Sequence, residues 1–167
     1  LKFIGAPNNG TIDTSPTVRT SDGIGERLIG NPYPSAIDAD AFINANLLGT
    51  GTINQTITGT LYFCTHNHTL SGNDYLASDY ATYNLFGGVG VDSGTGNITD
   101  PNQYIASGQG FFIENDSAGN VTFDNSMRVI SNNTNFYRQK KTKNTEEEKH
   151  RIWLKLQKGT SDLTGTL

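Results

Sequence analysis

The groups in this 167-residue chain that could do chemistry are few, and their spacing limits what that chemistry is. His66 and His68, in Thr65-His66-Asn67-His68, stand two apart, so on a strand both imidazoles project to one face as a metal pair would. Zinc needs three or four ligands, and only the distant His150 or a carboxylate such as Asp74 is on offer to complete the set. No metal is therefore expected, and exposed strand-end histidines are the simpler account. Tyr75, Tyr80 and Tyr83, with Asn73, Asp74 and Asn84 beside them, make an aromatic-plus-amide cluster of the kind that stacks on sugar rings. Half-buried strand tyrosines are the alternative. Asp38 and Asp40 do not face each other on a helix, so capping and dipole roles are expected of them rather than paired acid–base catalysis. Asp92-Ser93-Gly94-Thr95-Gly96-Asn97-Ile98-Thr99-Asp100 has the oxygen ligands of a calcium loop without the EF-hand spacing. An Asx-rich turn explains it, and calcium is the one cofactor left open. Ser107-Gly108-Gln109-Gly110 is not a nucleophile elbow. Gly87-Gly88-Val89-Gly90 opens no helix and carries no Gly-Lys-Ser/Thr, so no phosphate cradle is expected. No catalytic constellation is complete, and the chain is read as a non-enzyme.

These residues must be positioned by short strands. Period-2 alternation recurs along the chain, the signal of an antiparallel β-sandwich or jelly-roll-like fold, all-β in the main. Leu61, Phe63 and Thr65 share one face of a strand and Tyr62, Cys64 and His66 the other. Tyr80 to Phe86 reads as a strand stopped by Gly87-Gly88. Gly108 to Glu114 reads as another, and Val121-Thr122-Phe123 as its hairpin partner across the turn 115–120. In Arg151 to Lys158, Ile152, Leu154 and Leu156 point one way. One short helix is predicted, near residues 35–46, after Asn31-Pro32-Tyr33-Pro34, with Ser35 or Asp38 as its N-cap. Ile37, Ala41 and Leu48 are its expected sheet-facing residues, and a cis bond at Tyr33-Pro34 is open. Residues 139–149 read as a mobile charged loop.

Composition fits that reading. The chain is 34% hydrophobic and 17% charged, below the globular norms of about 45–50% and about 25%. Thr, Asn and Gly fill the difference, which favours strands and turns over long helices. The length suits a single β-rich domain over residues 1–167. The single Cys64 cannot form an internal disulfide and is expected to be a half-buried strand residue. No run approaches the ~18 apolar residues of a membrane span. The chain opens in what reads as a strand, Leu1 to Ile4, and stops after an apparent turn at Gly165-Thr166-Leu167, so it is expected to be a fragment of a longer secreted polypeptide. Residues 1–127 hold three basic residues against twelve acidic, and residues 128–167 nine against four. Lys140, Lys141 and Lys143 are followed at once by Glu146, Glu147 and Glu148, a self-neutralising stretch that argues against nucleic-acid binding.

Four segments carry a family resemblance: Leu28-Ile29-Gly30-Asn31-Pro32-Tyr33-Pro34-Ser35 running on to Ile43, Tyr80-Ala81-Thr82-Tyr83-Asn84-Leu85, Ile105-Ala106-Ser107-Gly108-Gln109-Gly110-Phe111-Phe112 and His150-Arg151-Ile152-Trp153-Leu154. Together they resemble the region preceding the C-terminal sorting domain, often type C, of flavobacterial (Bacteroidota) type IX secretion cargo. Relatives of that kind often carry Trp where Arg27 and Cys64 stand here. The resemblance implies an address, secreted or on the outer cell surface, rather than an activity. It also makes Asp116-Ser117-Ala118 look like that phylum's O-glycosylation motif, which would put Ser117 on an exposed turn. The expectation is a non-catalytic, adhesin-like cell-surface module for adhesion, spacing or assembly, joined to the rest of its own longer chain. A self-assembling subunit of an extracellular fibre or sheath (a homo-oligomer or filament) and a carbohydrate-binding module or part of a glycan-active enzyme are the alternatives.

Overall fold

The computed structural model describes residues 4–14, 25–47, 49, 56–65, 76–91, 99–115, 117–134, 137, 153–158 and 161–166. Over the described residues the fold is mainly β, with antiparallel sheets and one α-helix in a sandwich-like arrangement. In chain order the strands are β1 (Ile12–Asp13), β2 (Gly25–Gly30), β3 (Ile37–Asp38), β4 (Ile57–Cys64), β5 (Tyr80–Asn84), β6 (Gly87–Val89), β7 (Tyr104–Ile105), β8 (Gly110–Asn115), β9 (Thr122–Phe123), β10 (Trp153–Lys158) and β11 (Ser161–Thr166). The helix α1 (Ala39–Asn46) follows β3 directly. The main sheet has five strands in the order β2-β8-β4-β5-β6, and β1-β9, β3-β7 and β10-β11 form two-stranded ladders.

The main sheet has two unlike faces because its strands alternate. Ile57, Leu61, Phe63, Ala81, Tyr83, Phe111 and Ile113 are buried on the inner face. Against it lies α1, whose Ala39, Phe42, Ile43, Ala45 and Asn46 are buried. Phe42 stacks on Phe123 of β9 at 4.9 Å and meets Phe111 of β8 edge-on at 5.6 Å, so the helix bridges the small β1-β9 ladder and the main sheet. The face opposite carries Glu26, Leu28, Thr58, Tyr62, Cys64, Thr82 and Val89, all exposed or half-buried.

Asparagines and aspartates bind the connections to this core. Asn31 is 3% exposed, and its amide donates to the carbonyls of Ser35 (2.8 Å), Ile105 (2.9 Å) and Ala106 (3.2 Å) while its carbonyl accepts from the Tyr33 N–H (3.0 Å). Asn46 closes the other end of the helix by donating to Phe42 O and Thr122 O and accepting from the Thr122 N–H. Each satisfies backbone groups that no ladder reaches.

Several sequence expectations are corrected. The helix starts at Ala39, because Ile37 and Asp38 pair with Ile105 and Tyr104 and Asp38, not Ser35, caps it. Its buried stripe is centred on Phe42 and Ile43; Ile37 is buried ahead of it, Ala41 is half-buried, and Leu48 lies outside the described residues. The Tyr33–Pro34 peptide is trans. The strand from Tyr80 ends at Asn84, whose side chain accepts from the Phe86 N–H to form the turn, and Gly87-Gly88 open β6 instead of stopping a strand. Thr122 and Phe123 pair with β1, not with β8. Cys64 is exposed, not half-buried, because the inner face is taken by Phe63 and Thr65. Gly165 and Thr166 lie within β11. Leu1 to Phe3 and the loop 139–149 lie outside the described residues, as do the side chains on which the facing of Leu154 and Leu156 depends.

Candidate functional site

The open face of the main sheet holds a shallow groove of about 430 Å³, lined by Glu26, Tyr62, Ala77, Tyr80, Phe112, Ile113 and Glu114. Four strands build it through register alone. Glu26 and Leu28 of β2 are partners of Glu114 and Phe112 of β8, Phe112 is also the partner of Tyr62 of β4, and Cys64 of β4 is the partner of Tyr80 of β5. Cross-strand partners share a face, so these side chains emerge side by side. Tyr80 enters β5 from the short 3₁₀ turn Ala77–Asp79, which puts Ala77 at the rim.

The side chains in the groove are fixed by one another. Glu114 accepts from the Tyr62 hydroxyl at 2.8 Å through Oε1 and from Thr58 Oγ1 at 3.3 Å through Oε2. Burial, with the Glu114 hydrogen bond and the nearby carboxylate charges, pushes the Tyr62 phenol up to about 12, so it stays protonated and donating. Tyr80 and Phe112 meet at right angles (84°) with ring centroids 5.8 Å apart. The groove thus combines aromatic walls with two carboxylates from adjacent strands, a few polar groups set in an apolar lining as in ligand sites.

The tyrosine cluster expected from the sequence is divided by this geometry. Tyr80 lines the groove, whereas Tyr83 lies three positions on and on the opposite face. It is 5% exposed and donates to Asp40 Oδ1 at 2.8 Å, so it contributes to the core and not to a stacking surface. Tyr75, His66 and His68 lie outside the described residues. Ser117 sits half-buried in a bend after β8, less open than an exposed turn, and Asp116 lies outside the described residues. Asp38 caps α1 by accepting from the Asp40 and Ala41 N–H groups, and Asp40 receives the Tyr83 hydroxyl, so both aspartates hold structure. Of the calcium-loop candidate only Thr99 and Asp100 are described, and Asp100 accepts from the Gly90 N–H at 2.8 Å. Among the described residues no group of three or more His, Cys, Asp or Glu side chains could hold a metal, and no helix is long and apolar enough to cross a membrane.

Glu26, Tyr62, Phe112 and Glu114 are the groove residues that sequence reasoning missed. Period-2 alternation puts Tyr62 on the face opposite Phe63. What single strands could not supply was the strand order that makes neighbours of β2, β8, β4 and β5.

Comparison with known proteins returns no match among the curated proteins and none among the solved structures. One family model does match, over residues 1–167, and the chain therefore belongs to the family it describes, a domain of unknown function (DUF8693).

Proposed function

We propose that this domain is a non-catalytic module of a secreted or cell-surface protein, serving adhesion, spacing or assembly through the outer face of its main sheet. The observation that carries the reading is the contrast between the two faces. The inner face is closed by α1, and the polar residues around it (Asn31, Asp38, Asp40, Asn46) are engaged in capping and bridging the backbone. The outer face carries a groove with aromatic walls and exposed aliphatic side chains, Leu28 at 60% and Val89 at 64%, a composition typical of contact surfaces. The four segments that resemble type IX secretion cargo support the outer-surface address. A longer parent chain is part of the same reading.

Adhesion is tested by coating beads with the purified domain and measuring their retention on cells of the producing organism under flow. Retention above that of albumin-coated beads is expected, and it falls when Leu28→Asp and Val89→Asp are combined, both being surface changes that leave the core intact. Beads retained no better than the albumin control would overturn the reading. The assembly form of the proposal draws on β2 and β6, which are the end strands of the main sheet and carry Leu28 and Val89. Light scattering that finds a monomer at every concentration removes that form and leaves adhesion.

A further inference from the structure

We infer that the outer-face groove binds an organic cation, an ammonium or guanidinium group, between the Glu26 and Glu114 carboxylates and the rings of Tyr80 and Phe112. The inference rests on reading the outer face as the contact surface and names its ligand class.

Charge is the first argument. Glu26 and Glu114 are direct partners across β2 and β8. Their side chains leave the same face, where like charges oppose each other unfavourably. Among the described residues no basic side chain lines the groove to offset them. Glu114 is held on both oxygens by Tyr62 and Thr58, so its charge is fixed in place before any ligand arrives. A cation relieves the opposition between the two carboxylates; a neutral ligand leaves it standing.

Ring geometry is the second argument. Tyr80 and Phe112 stand at 84° to each other, forming a corner and not the flat platform on which a pyranose face stacks. Aromatic ring faces carry the negative part of the quadrupole, so a corner of two rings beside two carboxylates suits a compact positive group. The groove, at about 430 Å³ and open to solvent on the sheet face, is large enough for an arginine or lysine head group with part of its stem.

The test is a titration followed by amide chemical shifts, using three probes: N-acetyl-arginine amide, tetramethylammonium chloride and maltotriose. Both cationic probes are expected to shift the amides of Glu26, Tyr80, Phe112 and Glu114 saturably. The tighter of the two tells a basic side chain from a free quaternary amine. Glu26→Gln, an exposed change that keeps the fold, should weaken binding about three- to five-fold. Raising salt from about 50 to about 500 mM should weaken it further, because the attraction is between partly exposed charges. Cationic probes that leave these amides unmoved, or a Glu26→Gln variant that binds them as the parent does, overturn the inference. So does maltotriose shifting the same amides independently of salt, which makes the groove a saccharide site. If the cations fail while bead retention still depends on Leu28 and Val89, the ligand class falls and the adhesion reading stands; if both fail, both fall.

Discussion

Asn31 joins two stretches of chain that are more than seventy positions apart, and it does so with one amide. Its three donor contacts and one accepted N–H tie the segment from Gly30 to Ser35 to the turn from Ile105 to Gln109, and the Ser107 hydroxyl donates back to the Tyr33 carbonyl at 2.6 Å. Removing the amide strands buried carbonyls that water cannot reach. Asn31→Ala should therefore destabilise the domain by about 3 kcal/mol, read from urea unfolding. Asn31→Asp has nearly the same shape but only accepts when ionised, so it should be worse than alanine at neutral pH and recover in part in acid, where a protonated carboxyl can donate one bond. An aspartate variant as stable as the parent at neutral pH would show that the amide donors are unimportant. Tyr62 gives a second test at this scale. Its phenol holds its proton to about 12 in the folded protein, whereas an unfolded chain gives it up near ~10. The folded state thus binds more protons between those values, so stability is whole below about pH 10 and declines as pH rises toward about 12. Tyr62→Phe should flatten that alkaline decline in denaturant melts taken across the range; an unchanged slope would place its cause in the other tyrosines whose phenols are pushed up, Tyr33, Tyr83 and Tyr137.

Elements here are begun and ended by single residues. Asp38 accepts from the Asp40 and Ala41 N–H groups and takes the Gln103 amide on its other oxygen at 2.9 Å, so it both starts α1 and ties it to the segment before β7. Asp38→Ala should cost about 1–2 kcal/mol by thermal or urea melts, and Asp38→Asn, which keeps an acceptor, much less. In β4 the register shifts between Ile57 and Leu61, and Gly59 adopts φ +96 at that bulge, where a Cβ would lie 2.6 Å from Leu47 Cδ1 and the Leu47 side chain would have to shift. Gly59→Ala combines left-handed strain with that overlap, and a loss of about 2 kcal/mol or more is expected. These details also mark where sequence reading holds and where it stops. Alternation placed Leu61, Phe63 and Thr65 on one buried face, and they are buried. The run after Asn31-Pro32-Tyr33-Pro34 offered a helix near residues 35–46 capped by Ser35 or Asp38, and the helix is there, starting at Ala39 with Asp38 as its cap. Pairing was not legible: Val121 to Phe123 follow β8 closely enough to suggest a hairpin, yet β9 pairs with β1 from the other end of the chain. A two-residue strand has too little pattern of its own to choose a partner, and contacts with Asn46 decide it. The groove was hidden for the same reason, being made by strand order.

At the scale of the whole molecule, aromatic rings run through the interior as a connected line. Phe123 stacks on Phe42, Phe42 meets Phe111, Phe111 lies 6.0 Å from Phe63, and Phe63 lies 5.4 Å from Tyr137. The line passes from the small β1-β9 ladder through α1 to β8 and β4 of the main sheet. Short ladders such as β1-β9 and β3-β7 have too few hydrogen bonds to persist alone, so their stability must be borrowed from packing against this line. Phe42 is fully buried at the junction, and its removal opens a cavity that touches both layers. Phe42→Ala should therefore destabilise the domain by about 3–5 kcal/mol. Beyond the size of the loss, its distribution is informative. If the two layers are one cooperative unit, hydrogen exchange at Thr122 and Phe123 of β9 and at Phe111 and Ile113 of β8 should quicken by the same factor in the variant. Exchange that quickens in β9 while β8 keeps its protection would instead make the main sheet a unit stable on its own. The outer face would then rest on a scaffold indifferent to the helix layer, and changes around Asn31 or Phe42 would leave the groove intact.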